Sequence, residues 1–221
     1  MAFNYTKSNL ILCEGTHDRA FFRAIRHDLG LDHLFQTTDP SAVLGARGGN
    51  SQWLKVLTAL IGTSGFERLT GLIIVGDNDN NPAQSMRNIR DALKAAPIFP
   101  GPPRRKLVVP QALMRKTGGI PVVAIIPIPK VRQKGSLETL CIQAAQVSPA
   151  LALCADDFLA CSKINSWGTS KQSKVKMRAL IAASHRTNPE MTLSRLWVYR
   201  PDLVPINHVV FQHIANFLRA F

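Results

Sequence analysis

Residues 72–82 read LIIVGDNDNNP. An apolar run that fits a buried strand stops at Gly76, and two carboxylates follow one residue apart, Asp77 and Asp79. Gly, Asp, Asn and Pro are common wherever strands end, so a plain turn is one reading. The other is that two acids at the carboxyl end of a strand hold a divalent cation. The rest of the chain has to decide between them.

Upstream, SNLILCEG (8–15) is a second short apolar run bounded by polar residues, and it too reads as a buried strand. THDRAFFRAIRHDLG (16–30) repeats apolar residues at helical spacing and ends on a glycine suited to a helix stop. AVLGARGGN (42–50) reads as a second strand or turn before the helix SQWLKVLTALIG, with GLIIVGDND (71–79) as the third strand. NPAQSMRNIRDALKAA (81–96) is a helix with Pro82 at its start, and the proline-rich stretch 97–119 is a basic loop or insertion. PVVAIIPIP (121–129) predicts an extended segment near a sheet edge, because proline cannot donate to a ladder. GSLETLCIQAAQ (135–146) reads as a turn and helix capped by Ser136. Residues 150–183 read as helix broken around INSWGTSKQ, and an amphipathic helix closes the chain.

Strands alternating with helices predict an α/β fold with a mainly parallel sheet, as a core over 1–149 and a basic, largely helical extension over 150–221. Ligands of such sheets gather at the carboxyl ends of the strands. Glu14 ends the first strand and Asp77 with Asp79 ends the third, so the acids fall where the fold puts its chemistry.

Charge adds a partner class. The chain carries a formal net charge of +13, and the excess is confined to one part. Residues 1–91 balance nine acids with nine basic residues, whereas residues 92–221 set 18 basic residues against five acids. That asymmetry points to a polyanion such as nucleic acid. No apolar run approaches a membrane span, and the N-terminus lacks a signal-peptide pattern, so a cytoplasmic protein with no membrane partner is expected. The four scattered cysteines lack metal-ligand spacing and read as reduced thiols. Trp53, Trp167 and Trp197 read as core or subunit contacts, and with the apolar tail they make a homodimer a possible state. No ATP-binding P-loop, GxSxG or HExxH motif is present.

LILCEGTHDRAFF followed about sixty residues later by LIIVGDNDNN resembles a Toprim domain, the catalytic unit shared by topoisomerases, bacterial-type primases and the overcoming-lysogenization-defect nucleases. GSLETL resembles the SxE element of those nucleases, KQSKVKMRALIAA their lysine-bearing helix, and GGN (48–50) the Gly-Gly-Asn turn of small stand-alone Toprim proteins. The resemblance implies Mg²⁺- or Mn²⁺-dependent cleavage of a DNA or RNA phosphodiester. Hard cations favour carboxylate oxygens and keep waters that phosphate can replace, and paired ions can activate a water and steady the leaving oxygen. Glu14, Asp77 and Asp79 are the implied catalytic ligands. Asp18, one helical turn after Glu14, and Glu138 would assist a second ion, although each is also a first-turn acid favoured by the helix dipole. Lys176 is the expected catalytic lysine and Lys174 its alternative. Gly15, Gly48, Gly49, Asn50, Lys174 and Ser136 would meet the substrate, whereas His17 is expected to be a solvated loop residue. Relatives fused to or encoded beside an ATPase imply a possible ATPase partner in phage defence. The competing expectation is a module that binds nucleic acid or nucleotide phosphate without cleaving it, or a regulatory subunit of an ATPase complex.

Overall fold

A computed structural model describes residues 3–45, 52–96, 111–114 and 121–221. Its sheet is built on two apolar runs. β1 (Asn9–Cys13) and β3 (Gly71–Asp77) pair in parallel from Asn9↔Gly71 to Cys13↔Val75, and every residue of β3 is buried. β2 (Phe35–Thr38) flanks β1, β5 (Val122–Ile128) flanks β3, and both are parallel to their neighbours. β4 (Gln111–Met114) adds an antiparallel edge, giving the order β2-β1-β3-β5-β4. The fold is therefore the expected α/β type, with four parallel strands between helices.

Two local readings are corrected. Residues 42–44 belong to a short helix, α2 (Pro40–Leu44), because Asp39 caps it through Ala42 N at 3.0 Å and Pro40 pre-sets its first turn. The second strand is instead Phe35–Thr38, too short and too polar to stand out in sequence. The prolines of 121–129 do not mark an edge either. β5 is interior and buried beyond Val122, with β4 paired on its outer side.

Alternation along the strands divides the core. Leu10, Leu12, Leu72 and Ile74 face α3 (Trp53–Ile61) and α4 (Pro82–Ala95). Ile11, Cys13, Ile73 and Val75 face the other layer, which holds α1 (Thr16–Asp28), α5 (Leu137–Ala144) and the C-terminal helices. Those helices are α6 (Pro149–Cys161), α7 (Thr169–Ser184), α8 (Leu193–Tyr199) and α9 (Gln212–Ala220). Met177, Leu196, Phe211 and Ile214 join the same buried cluster as Ile11 and Phe21, so this C-terminal segment shares the core of the sheet. Fully burying each such side chain contributes about 1.5–3 kcal/mol. Trp53 is buried, and the Trp197 indole donates to Val204 O at 3.2 Å, whereas Trp167 is exposed. Among the described residues no helix is long and apolar enough to cross a membrane.

A candidate cation site at the carboxyl ends of β1 and β3

After β1 the chain adds β2 on one side, then crosses to place β3 on the other. The crevice at such a switch point is where open α/β sheets bind ligands. Here it is a cleft of about 370 Å³ lined by Glu14, Asp18, Asp39, Asp77, Glu138 and Lys174, with Gly15 and His17 on its wall. Residues from positions 14, 77, 138 and 174 thus converge.

Each carboxylate is tied to its own local structure. Glu14 Oε2 accepts from Asp77 N at 2.9 Å, linking the ends of β1 and β3. Asp18, in the first turn of α1, accepts from Gly15 N through Oδ2 at 3.1 Å. Asp77 Oδ1 accepts from Leu137 N, the first amide of α5, at 3.1 Å. Glu138 has a donor on each oxygen: Ser136 Oγ at 2.8 Å and His17 Nδ1 at 3.2 Å. Against these acids stands Lys174, whose Nζ lies 3.5 Å from Asp77 Oδ2.

Asn78, between the two aspartates, organises this arrangement. Its side chain is buried and donates to Lys130 O at 2.6 Å and Gln133 O at 2.8 Å, while its amide donates to Ile128 O at 2.8 Å. The turn after β3 thereby clasps the loop that delivers Ser136 and Glu138. Gly135 closes that loop at φ 132°, where a Cβ would lie 2.5 Å from Thr139 Oγ1. Thr139 Oγ1 accepts from Ser136 N at 3.1 Å and donates to Ser173 Oγ at 2.9 Å, fixing α7 against α5 beside Lys174. A Cβ on Gly168, just before α7, would collide with the Asn80 side chain, so the same turn also abuts the start of that helix.

Electrostatics follow from crowding acids at a buried edge. Burial, then the charge of Asp77, pushes Glu14 up to about 8. Burial, then Glu14 and Glu138, does the same to Asp18, also to about 8. Asp77 is raised well above the carboxylate range, by burial first and then by Asp18. Glu138 departs in the opposite direction. Burial alone would raise it, but the bonds from His17 and Ser136 outweigh that and keep it an anion. Burial alone would likewise lower Lys174, yet Asp77 and the neighbouring acids hold it above its ordinary value.

Several expected site residues sit differently. Lys176, the expected catalytic lysine, is paired with Asp156 of α6, and Lys174 is the one at the carboxylates. Two helical positions are about 200° apart, so both cannot face one cleft. Ser136, expected at the substrate, is fully buried and its Oγ donates to Glu138. Glu138, expected as a metal ligand, lines the cleft and accepts from Ser136 and His17. His17 is not a solvated loop residue but belongs to α1 and pairs with Glu138. Asp79 lies at the margin, in the left-handed region at φ 48°, with its carbonyl accepting from Gly135 N at 2.8 Å. Gly48, Gly49 and Asn50 lie outside the described residues, as does most of the 97–119 insertion. Asp39 was not foreseen. It is buried on the cleft wall, 3.2 Å from Arg19 Nε, and its sequence signal was an acid ending a strand before a Pro-Ser helix start.

The donors suit a hard cation in kind: all are oxygens, and Glu14, Asp18 and Asp77 repel one another with a single lysine beside them. They are not pre-assembled, for among the described residues no three His, Cys, Asp or Glu side chains form a ready ligand set. Protein amides hold one oxygen each of Glu14, Asp18 and Asp77.

The profile of the family described as "Protein of unknown function (DUF3226)" matches residues 8–221, so the chain belongs to that family. No curated protein and no solved structure matches it.

Proposed function

We propose that this member of the DUF3226 family is a divalent-cation-dependent phosphodiesterase of the Toprim type, acting on DNA or RNA. The observation that carries the reading is the convergence of Glu14, Asp18 and Asp77 on one cleft, mutually raised in pKa, with Lys174 as the lining cation. Glu14, Asp18 and Asp77 would hold Mg²⁺ or Mn²⁺, with Asp79 at the margin. When bound, the ion supplies Lewis-acid polarisation of the phosphate and an activated water.

The chain's own groups divide the remaining work. Lys174 Nζ offsets negative charge that develops on the phosphoryl oxygens. Glu138, kept anionic, accepts from His17 Nδ1 and fixes that ring at the cleft wall. Ser136 orients Glu138. The basic residues of 92–221 supply attraction for a polyanion, without base specificity.

Cleavage of supercoiled plasmid, single-stranded DNA and structured RNA in Mg²⁺, Mn²⁺ or EDTA, beside Asp77→Ala, tests the reading. Metal-dependent product that disappears in the variant supports it. Product that persists in Asp77→Ala overturns it. Absence of product with retained, salt-sensitive binding favours a non-cleaving module, and activity appearing only with an added ATPase subunit favours the regulatory one.

A further inference from the structure

Beside the carboxylate cleft, with His17, Glu138 and Lys174 in common, lies a second chamber of about 570 Å³. It differs from the cleft in character. Its floor is apolar, made by the largely buried Met177 and Ile181 of α7 with Met191 and Leu193 at the entry to α8, and Ala182, Pro189 and Thr192 line it nearer solvent. The size lies within the range of small-ligand sites, roughly 300–1,000 Å³. Arg178 and Glu190 stand at its rim, both exposed. Arg178 follows Lys174 by one helical turn, so α7 presents one cation to the cleft and a second to the chamber.

From this geometry we infer that the chamber is a nucleoside subsite, taking the unpaired base next to the phosphate held in the cleft. The inference rests on the phosphodiesterase reading. Apolar walls do not recognise phosphate, but thioether and aliphatic groups pack well against the flat face of a base. Two cations along α7 favour an apolar group that carries a phosphate on its flank, which is what a nucleotide is. Glu190 offers an acceptor for a base amino group. A base still paired in a duplex cannot enter a recess beside the phosphate site, so the subsite selects single-stranded or unstacked substrate.

Methyl-¹³C methionine spectra test this without requiring turnover, because Met177 and Met191 line the chamber while Met86 lies across the sheet. The probes are deoxyadenosine monophosphate in Mg²⁺, deoxyadenosine in EDTA, and deoxyribose 5-phosphate in Mg²⁺. The expected result is a saturable shift of Met177 and Met191 with both base-bearing probes, no shift with the sugar phosphate, and a still Met86 throughout. Thr192→Trp, a substitution at an exposed lining residue, fills the chamber and should abolish the shift while leaving the melting temperature near that of the parent. Unmoved Met177 and Met191, equal shifts with the sugar phosphate, or undiminished shifts in a folded Thr192→Trp each overturn the subsite. A nuclease with no methyl shift sinks the subsite alone, whereas deoxyadenosine binding in a protein that cleaves nothing sinks only the catalytic reading.

Discussion

On the α3–α4 face of the sheet, apolar packing runs up to the strand ends. A Cβ on Gly76 would lie 2.8 Å from the Ile89 side chain and 3.6 Å from Trp53, with the first acid, Glu14 Oε2, only 3.7 Å away. On the α1–α5–α7 face the same strands end among acids, with Asp18, Asp77 and Glu138 each less than a tenth exposed. Two layers on one sheet thus obey different rules. The first gains stability from burial. The second spends it, because buried like charges raise one another's pKa and oppose the compact state. Such a concentration of unfavourable terms at one edge is the observation behind the proposed function.

The contrast can be broken from either side. The largest effect on stability should come from Ile74→Ala, which opens a cavity against α3 and α4 and should cost about 2–5 kcal/mol in denaturant unfolding with cation binding unchanged. On the other face, Lys174→Met should leave the fold intact and lower metal-dependent cleavage on the order of 10²-fold, measured as kcat on single-stranded DNA. A smaller effect follows from pH. Glu14 and Asp18, raised to about 8, stay protonated in the folded chain where the unfolded chain is already ionised. The folded state then binds more protons, so metal-free stability should fall as pH rises from about 4 to about 8. Thermal melts in EDTA should show that decline, and saturating Mg²⁺ should flatten it by binding the ionised acids. Smallest of all, Lys176→Gln should change cleavage less than twofold and stability by within about 0.5 kcal/mol, its ion pair with the half-exposed Asp156 being a surface contact.

The fold was legible where burial dictates sequence. β1 and β3 announce themselves as apolar runs because both faces are covered, and Glu14 and Asp77 stand out because acids abruptly end those runs. β2 was missed since FQTT lies at the sheet edge and needs little apolar character. The interior place of β5 was hidden by prolines, which a ladder tolerates when the lost donor falls near a strand end. Lys174 and Lys176 could not be separated because α7 has no clean apolar stripe to set its phase: buried Ser170 and Ser173 sit on the same helix as buried Met177 and Leu180. The phase comes from the Thr139–Ser173 contact, a tertiary event. His17 and Glu138, 121 positions apart, are likewise paired only by folding.

The clasp made by Asn78, together with the Asn80–Gly168 contact, has a temporal side. The acids at positions 14, 18 and 77 all precede their lysine, the last of them by 97 residues, and that lysine is oriented by a helix that docks on the turn bearing Asp77. As the chain leaves the ribosome, the acids of this edge emerge before the cation that balances them. A fragment ending before α7 would therefore carry every proposed ligand and still have an unfinished site.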